Sequence, residues 1–416
     1  MPDNSNHSPN VILPPTGGEV GLTELELAVQ DSVRRFAREV LRPVGQELDK
    51  MTPEEVIGEN SPYWSMLGQF AELGLAPSAL FEMTQKERSR LIPIIYEELG
   101  YGDSGLAISL GAGSLASLMA HRYGNQTLIE LTEGKLGCWA ITEPDHGSDI
   151  LDYNRQNQYP GGYYGQPNCT VTFNGDDLII NGQKSAWVSN GVIADVAILY
   201  AACDNGDGIN TRKGAVIIVP MDQPGVSRGK PLDKVGQRAL NQGEVYFDNV
   251  RLSKAHLLAG PNDYEKATYD ILAEANAVMG SVFTGQARAA YELAVQYSNE
   301  RKAGGTLLKN HQYTKLRLFE MFRQIEASRA LNLRAYRYNY NASEPAIQLS
   351  IASKVTATQT ALDVCSEALQ VFGGNGLTRE YPLEKMWRDA RASLIEDGCN
   401  EVLGMKAGSY LTQLEA

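Results

Sequence analysis

Cysteine, histidine and basic side chains are all scarce in this sequence. The five cysteines among 416 residues are widely spaced and include no Cys-x-x-Cys pair: Cys138, Cys169, Cys203, Cys365 and Cys399. Such spacing indicates neither a disulfide framework nor a zinc cluster, so we expect a protein of the reducing cytoplasm. The histidines also lack the spacing of metal ligands, and we expect no metal site: His7, His121, His146, His256 and His311.

Net positive charge is absent as well. Lys and Arg number 37 against 50 Asp and Glu, which gives a net charge of −13. A surface of this charge repels phosphate backbones and anionic lipids, so we expect no nucleic-acid partner. No apolar stretch approaches the roughly 18 residues that span a bilayer, and the polar segment 1–21 does not resemble a secretory signal. We therefore expect a soluble protein without membrane insertion, behind a flexible lead-in.

Hydropathy patterns divide the chain into successive parts. Thr23 and Glu26 form a capping-box pattern ahead of apolar residues at helical spacing, which continues to about residue 130. Short β-branched segments follow, with hairpin turns predicted at Asn174-Gly175 and Asn181-Gly182. Helical spacing returns from about residue 262. These patterns predict an α+β fold with a lead-in at 1–21, an N-terminal all-α domain at 22–134, a middle β-barrel or sheet domain at 135–260 and a C-terminal helical domain at 261–416.

Two glycine-containing motifs resemble known signatures but lack their context. GDSG at 102–105 resembles the surroundings of a protease serine, and GAGSLA at 111–116 satisfies the dinucleotide pattern G-x-G-x-x-A. Both lie within helical spacing, the first without histidine and aspartate partners and the second without a preceding strand. We interpret the first as a helix junction and the second as a site of close helix packing.

Three further segments are more informative together than separately. They are WAITEPDHGSD at 139–149, NGQKSAWVSNG at 181–191 and QVFGGNGLTREYPLEKMWRDARASLIEDGCNEV at 370–402. In this order, over nearly the whole chain, they resemble the acyl-CoA dehydrogenase family of flavoproteins. The resemblance implies a non-covalent FAD and a two-electron oxidation of an acyl-CoA thioester between its α and β carbons. It also implies an electron-transferring flavoprotein or similar acceptor, and a homotetramer centred on a C-terminal four-helix bundle.

The resemblance assigns the FAD site to three groups of residues. A loop faces the flavin ring, an aromatic segment walls it, and the C-terminal helices hold the pyrophosphate and adenosine end, where glycines let the backbone approach phosphate. Arg301 and Gln312 are implied to come from a neighbouring subunit. In chain order the residues are Trp139, Ile141, Thr142, Gly147, Ser148, Trp187, Val188, Ser189, Arg301, His311, Gln312, Gln370, Phe372, Gly373, Gly374, Cys399 and Glu401.

The segment that carries the catalytic base in most members, I-Y-E-G-T, reads IEDGC at 395–399 here. The resemblance therefore implies that Asp397 removes the α-proton while its backbone N–H helps to hold the thioester oxygen. Ser148, Asn276 and Gly398 complete the implied substrate contacts. Because Asp is one methylene shorter than Glu, we expect either a cyclic or otherwise bulky acyl group or a geometry unlike that for a straight chain.

Several positions depart from the family pattern. Ala275 stands where other members carry the base on a helix, and Glu274 would take that role after a one-residue shift in alignment. Asn276 replaces the usual Arg, and Gly304 replaces a Phe of the R-K-x-F-G motif. Glu396 replaces an aromatic residue beside the base, and we interpret it as a solvated carboxylate.

Two alternatives remain open for the function. Asp at the base position also resembles the nitroalkane oxidases of the same fold, which would act on a small acid and pass electrons to oxygen. The other alternative is a flavin-binding relative without dehydrogenase activity. The intact T-E-P-x-x-G-S-D loop favours the CoA ester.

A tyrosine-rich stretch at 150–168 is longer than the family pattern leads us to expect. It follows Ser148, so it either overhangs the CoA entrance or forms a solvent-facing loop. If it contacts the ligand, deleting residues 154–166 raises KM with little change in flavin content or kcat.

Overall fold

The computed structural model describes residues 21–151, 165–204 and 209–413. In its N-terminal part, three helices begin at a threonine that forms a capping box with a glutamate: Thr23, Thr52 and Thr84. The helices of this part are α1 (Glu24–Phe36), extended by a π-helical segment (Ala37–Leu41), α2 (Arg42–Leu48), α3 (Pro53–Val56), α4 (Pro62–Ala71), α5 (Pro77–Glu82), α6 (Gln85–Gly102), α7 (Ser104–Arg122) and α8 (Gln126–Thr132).

The start of α1 confirms the predicted capping box. The hydroxyl of Thr23 accepts a hydrogen bond from the N–H of Glu26 at 3.2 Å, and the Glu26 carboxylate accepts one from the N–H of Thr23 at 2.7 Å. Farther along, Phe36 is buried, whereas Leu25 in the first turn is 54% exposed. The inward face begins instead at Glu26, whose carboxylate pairs with Arg90 on α6 at 2.7 Å.

The middle part is a sheet of eight described strands in the order β6-β7-β3-β2-β4-β5-β8, with β1 also paired to β4. The strands are β1 (Gly137–Ala140), β2 (Cys169–Asn174), β3 (Asp177–Lys184), β4 (Val196–Asp204), β5 (Ile209–Pro220), β6 (Val226–Arg228), β7 (Val245–Ser253) and β8 (Leu257–Ala259). Alternate residues of β4 point to opposite faces of the sheet and belong to two different cores. Leu199 packs with other strand residues on one face, and Tyr200 packs with Met119 of α7 on the other. The sheet is therefore buried on both faces at β4.

Of the two predicted hairpin turns, only the first is present. The turn at Asn174-Gly175 joins β2 to β3, and Gly175 has a φ of 59°. β3 continues through Asn181-Gly182, where its pairing with β7 has a register irregularity, so the prediction of a second turn was wrong. Gly182 has a φ of 115°, and a Cβ there would lie 1.9 Å from the carbonyl oxygen of Asn168. Gly182 therefore permits a β-bulge within β3.

The C-terminal part contains three long helices and two shorter ones. They are α9 (Tyr264–Glu300), α10 (Gln312–Asn341), α11 (Ile347–Phe372), α12 (Leu383–Ser393) and α13 (Asn400–Leu411), with a ribbon of β9 (Lys302–Ala303) and β10 (Thr306–Leu307) after α9. Because α9 packs against both α11 and α6, helices from both ends of the chain share one hydrophobic core. Leu99 of α6, Phe283 of α9 and Val364 of α11 are buried in it.

The helix–sheet–helix order confirms the predicted fold class. The GDSG motif is the junction of α6 and α7, where the Asp103 carboxylate caps α7 through the N–H of Leu106 at 2.9 Å. The second glycine motif lies inside α7, where a Cβ on Gly111 would come within 3.5 Å of Tyr96 on α6. The helix-junction interpretation is confirmed, whereas the tightest approach at the second motif is that of β1, since a Cβ on Gly137 would lie 2.8 Å from the carbonyl oxygen of Gly113. The exact domain limits stay predictions. None of the described helices combines the length and apolar character needed to cross a membrane.

Candidate active site

The IEDGC segment forms a tight loop between α12 and α13. Asp397 has a φ of 51° and Gly398 one of 95°, so two successive residues take left-handed conformations. A non-glycine residue adopts such a φ at a cost in energy, and it persists only where the surrounding structure holds it. Contacts around the loop must therefore hold Asp397 in this strained conformation.

Lys354 of α11 holds this loop from the protein interior. Its buried ammonium group donates hydrogen bonds to the carbonyl oxygen of Gly398 at 2.8 Å and to Oδ1 of Asn400 at 2.7 Å. Burial lowers the pKa of Lys354 to about 8, and the negative charge of Asp397 opposes this effect. The ammonium in turn lowers the pKa of Asp397, because an adjacent cation stabilises the ionised carboxylate.

Two adjacent carboxyl groups of the loop titrate near neutral pH. Burial raises the pKa of Asp397 to about 6, against the opposing effect of Lys354. Burial, and then the charge of Asp397, raise the pKa of Glu396 to about 7. Because the two groups interact, both titration steps belong to the pair. A carboxyl group with a pKa near 6 is mostly ionised at neutral pH yet more basic than an ordinary aspartate, as a general base should be.

Glu396 is not the solvated carboxylate that the sequence suggested. Its Oε1 accepts a hydrogen bond from the side-chain amide of Gln237 at 2.5 Å. The backbone N–H of Gln237 donates to Asp389 of α12, and Asp389 also binds Lys385, which pairs with Asp103 at the start of α7. Buried polar groups thus connect the base loop to the segment after β6 and to the N-terminal helices.

Two contacts join the loop to residues predicted on the substrate side. The N–H of Cys399 donates to the hydroxyl oxygen of Ser148 at 2.9 Å, and the side-chain amide of Asn276 donates to the carbonyl oxygen of Asp397 at 3.5 Å. The structure therefore brings Ser148, Asn276, Asp397 and Gly398 together. Oδ1 of the buried Asn276 has no hydrogen-bond partner among the described residues, so it is free to accept one from a ligand.

Glu274 lies on the other side of α9 from this cluster. Residues two apart on an α-helix point about 200° apart, so Glu274 and Asn276 leave α9 in nearly opposite directions. The Glu274 carboxylate accepts a hydrogen bond from the hydroxyl of Tyr340 at 2.8 Å and lies 3.6 Å from Arg122. Among the described residues no hydrogen bond or ion pair joins it to the loop, and this geometry favours Asp397 as the base.

The loop at 139–149 is braced by a buried ion pair. Lys184 of β3 donates to the Glu143 carboxylate at 2.6 Å and to the carbonyl oxygen of Ile141 at 3.0 Å. The carbonyl oxygen of Thr142 accepts a hydrogen bond from the N–H of Ser185 at 2.9 Å. The segment with the two predicted flavin contacts is therefore fixed to β3. Gly147 and Ser148 follow it, exposed and half-buried respectively.

The predicted flavin wall follows β3. Trp187 is 59% exposed, whereas Val188 is buried. The side-chain amide of Gln242 donates to the hydroxyl oxygen of Ser189 at 3.2 Å and to the carbonyl oxygen of Trp187 at 3.3 Å. Asn190, with a φ of 61°, is bonded through its side chain to α7 and fixes the end of the segment. A large exposed indole beside a fixed hydroxyl suits a residue that covers a bound ring.

The residues predicted for the adenosine end form a separate, mostly exposed group at the ends of the long helices. Tyr297 of α9 stacks on Phe372 of α11 with 3.9 Å between ring centroids, which joins the two helix ends. No hydrogen bond or ion pair among the described residues links this group to Asp397 or to the loop at 139–149. That Arg301 and Gln312 bind the FAD of a neighbouring subunit stays a prediction. The exposed members are Arg301, Gln312, Gln370, Gly373 and Gly374.

Two predicted positions, His311 and Glu401, remain to be placed. The half-buried His311 contacts the carbonyl oxygen of Ala303 through Nε2 at 3.0 Å, beside Gly304 with its φ of 60°. Glu401 is exposed in the first turn of α13. Residues 152–164 of the tyrosine-rich stretch lie outside the described residues, so its role at the CoA entrance stays a prediction.

Sequence reasoning missed Lys354, Gln237 and the pair formed by Lys184 and Glu143. These residues act through contacts between segments that are distant in sequence, for instance Gln237 with Glu396. A signal existed for Lys354, since it is the only basic residue of α11 and its immediate neighbours are small or apolar. Lysine is rarely buried without a partner, so such a position indicates a buried charge with a role.

Solved structures show the same architecture. Butyryl-CoA dehydrogenase from Megasphaera elsdenii superposes with a TM-score of 0.80 at 26% identity, over 95% of this chain and 100% of that one. Nitroalkane oxidase from Podospora anserina superposes with a TM-score of 0.79 at 18% identity, over 96% of this chain and 97% of that one. At that identity, the second likeness shows the fold alone.

Sequence comparison identifies the family. The model of the acyl-CoA dehydrogenase middle domain matches residues 138–250, and that of the acyl-CoA dehydrogenase C-terminal domain matches residues 267–409. The mitochondrial short-chain specific acyl-CoA dehydrogenase of Rattus norvegicus is 29% identical over 94% of this chain and 91% of its own length. The chain belongs to the acyl-CoA dehydrogenase family, whose members are FAD-dependent oxidoreductases that act on CH–CH bonds.

Proposed function

We propose that this enzyme catalyses the FAD-dependent α,β-dehydrogenation of an acyl-CoA thioester, with Asp397 as the base that removes the α-proton. The observation that carries the proposal is the loop between α12 and α13. There, burial raises the pKa of Asp397 to about 6, and the loop is tied to Lys354, Ser148 and Asn276. Family membership supports the reaction class, and these contacts support the residue.

The residues on the flavin side fit FAD. The indole N–H of Trp139 is buried and has no hydrogen-bond partner among the described residues, so it can donate to a ligand. Trp187 exposes a broad apolar face beside the fixed hydroxyl of Ser189. Trp139, Thr142, Trp187 and Ser189 would hold the ring. When bound, FAD would accept a hydride from the substrate's β-carbon, and that hydride carries both electrons of the oxidation.

The adenosine end fits as well. A Cβ on Gly373 or Gly374 would meet no atom within 4 Å, so the backbone there is open to a close ligand. Backbone N–H groups without side chains in the way bind pyrophosphate well, and the exposed guanidinium of Arg301 suits the same charge. Gly373, Gly374, Arg301 and Gln312 would hold this end.

Asp397 contributes two groups to the reaction. Its carboxylate takes the proton from the α-carbon, and the buried ammonium of Lys354 keeps that carboxylate ionised at neutral pH. Its backbone N–H has no hydrogen-bond acceptor among the described residues, and we assign it to the thioester oxygen. A donor placed where negative charge develops stabilises the transition state.

The substrate is a cyclic or otherwise bulky acyl-CoA ester. Asp397 reaches one methylene less far than glutamate, and Ala275 on the adjacent helix also has a small side chain. Both features leave room near the α-carbon. The shorter base then meets a substrate that extends farther toward the loop.

The electrons pass to an electron-transferring flavoprotein or a similar acceptor, and the enzyme is a cytoplasmic homotetramer. The apolar side chains of Tyr313, Leu316 and Phe319 on α10 are 65%, 54% and 56% exposed. An exposed apolar stripe of this kind marks a protein–protein contact, and tetramers are typical of the family.

A flavin oxidase that acts on nitroalkanes is the second candidate. The aspartate at the position of the base is the observation that favours it. One experiment separates the candidates: bleaching of the bound flavin, recorded without oxygen, with a panel of acyl-CoA esters and with nitroethane. Bleaching by cyclic or branched acyl-CoA esters supports the proposal. Bleaching by nitroethane alone identifies an oxidase, and bleaching by neither identifies a flavin-binding relative without dehydrogenase activity.

A further inference from the structure

A cavity of about 210 Å³ lies among α5, α6, α7, α9 and α10. One part of its wall is apolar and includes Phe81 and Leu118, and the other part is charged and includes Arg88, Arg122 and Glu274. Glu274 of this wall leaves α9 on the side opposite Asn276, and among the described residues no hydrogen bond or ion pair joins it to the Asp397 loop.

Arg88 of α6 is the unusual member of this wall. Its side chain is only 9% exposed, and its guanidinium carbon lies 4.2 Å from the centre of the Phe81 ring. Nε is buried without a hydrogen-bond partner, and no carboxylate of the described residues forms an ion pair with this guanidinium. Burying a cation without a contacting carboxylate costs free energy, so this arginine suits an anionic ligand held in the cavity.

The other charges around the cavity balance one another. Arg122 lies 3.6 Å from Glu274 and 3.5 Å from Asp270. Asp270 in turn pairs with Lys266 at 2.7 Å. The charge of Arg88 also lowers the pKa of Glu274, so three cations face two carboxylates and the site carries one net positive charge.

We propose that this cavity binds a small organic carboxylate. The planar fork of the Arg88 guanidinium pairs with both carboxylate oxygens, and the hydrocarbon part of the ligand lies against Phe81 and Leu118. The cavity, about 210 Å³ in volume, has room for a small organic molecule beside the guanidinium.

Benzoate is the probe, and its binding to the FAD-loaded enzyme is measured by titration calorimetry. Arg88→Met keeps the length of the side chain and removes the charge, so we expect benzoate affinity to fall at least tenfold. Arg90→Met is the matched control on the same helix, because Arg90 already pairs with Glu26 at 2.7 Å, and its benzoate affinity should be unchanged. Benzyl alcohol, which has the same ring without the charge, should not bind.

Thermal unfolding separates lost binding from lost folding. Without ligand, Arg88→Met should unfold at close to the temperature of the unmodified protein, because the lost contact with Phe81 and the lost attraction to Glu274 offset the gain from removing a buried charge. Benzoate should raise the unfolding temperature of the unmodified protein and of Arg90→Met, but not that of Arg88→Met.

Several results overturn the proposal. Equal benzoate affinity with and without the Arg88 guanidinium, or no benzoate binding to the unmodified protein at millimolar concentration, rejects the site. Inorganic phosphate that binds as tightly as benzoate rejects the assignment to an organic carboxylate. Benzoate binding that is lost in Asp397→Asn but kept in Arg88→Met places the ligand at the catalytic loop instead.

Discussion

At Asp397, burial and a neighbouring cation act on the same carboxyl group in opposite directions. Burial disfavours the charged form and raises the pKa, while the ammonium of Lys354 favours it, and the resulting pKa is about 6. An exposed aspartate would be ionised but weakly basic, and without Lys354 the pKa of Asp397 would be higher. The pair therefore gives a base that is both ionised and basic at neutral pH.

The pH dependence of the reaction follows from this pKa. We expect the rate of flavin bleaching by an acyl-CoA ester to rise as the pH rises through about 6 and to level off above about 7, because Asp397 must lose its proton to act. Single-turnover absorbance of the flavin, recorded without oxygen, measures this rate. A rate that stays flat from pH 5 to 8 would contradict this assignment.

The contribution of Asp397 to the free energy of unfolding should fall as the pH rises, whereas the bleaching rate should increase. The pKa of Asp397 is raised from 3.8 in the unfolded chain to about 6 in the folded one, so the folded protein binds more protons within this range. The stability that protonated Asp397 contributes is fully present below the unfolded pKa of 3.8. It is lost as the pH rises through the folded pKa of about 6. At pH 8, Asp397→Asn should therefore unfold at a higher temperature than the unmodified protein. An equal or lower unfolding temperature would argue against a buried charge.

Lys354→Met tests the cation. Without the ammonium the pKa of Asp397 rises, so the acid limb of the bleaching profile should move to higher pH. Two buried acceptors also lose their donor, which should lower the free energy of unfolding by about 1–3 kcal/mol for each. Lys309→Met, at an exposed position, is the control and should change neither quantity.

Asp397 could be identified from the sequence because a short segment carries the whole pattern around it. Lys354 could not be identified in this way, since 43 residues separate it from Asp397 and only the packing of α11 against the loop brings them together. The state of Glu396 was misjudged for the same reason, because its partner Gln237 belongs to a distant segment.

Among the structural elements, β3 has the most direct effect on the site. It carries Lys184 at its end, where the ammonium group binds both the side chain and the backbone of the loop at 139–149. The wall segment with Trp187 follows immediately after the strand. One strand therefore positions two of the three groups predicted to hold FAD.

Glu143→Gln tests this role. Removal of one charge from a buried ion pair leaves Lys184 uncompensated, and we expect the free energy of unfolding to fall by about 3–5 kcal/mol. Because the loop loses its brace, FAD content after purification should fall as well. Asp176→Asn is the control, since Asp176 and Lys254 form an exposed pair beside the same sheet, whose loss should cost less than about 1 kcal/mol. Equal effects of the two substitutions would contradict the role assigned to the pair.

Elements with local signals were predictable, and the bulge was not. The capping box at Thr23 and the cap at Asp103 involve residues three positions apart, so the sequence displays the whole interaction. Asn181-Gly182 satisfies the same local rule as Asn174-Gly175, but its conformation depends on pairing with β7, which lies more than sixty residues further along.

In the whole molecule, the three parts of the chain meet at the loop that contains Asp397, residues 395–399. Asp103 from the N-terminal helices, Gln237 from the segment after β6 and Asp389 from α12 form one network that ends at Glu396. The order of the parts could be read from periodicity. Their shared core and this network could not, because both depend on contacts between the two ends of the chain.

The exposed stripe on α10 leads to an expectation for the assembly. If α10 forms the contact of the proposed tetramer, Phe319→Glu places a charge within it and should dissociate the assembly, with loss of FAD if a neighbour supplies part of its site. Leu25→Glu, at an exposed apolar position of α1, should leave the assembly intact. Light scattering and flavin absorbance measure both properties. A Phe319→Glu protein that remains a tetramer would remove α10 from the interface.

The central claim is that Asp397 removes the α-proton, and single-turnover flavin bleaching by an acyl-CoA ester tests it most directly. Asp397→Asn keeps the shape of the side chain and the backbone N–H, so the protein should bind a normal amount of FAD while the bleaching rate falls by about 10²–10⁴-fold. Glu274→Gln should bleach at close to the unmodified rate. An Asp397→Asn enzyme that bleaches normally, together with a Glu274→Gln enzyme that does not, would place the base on α9 and contradict this mechanism.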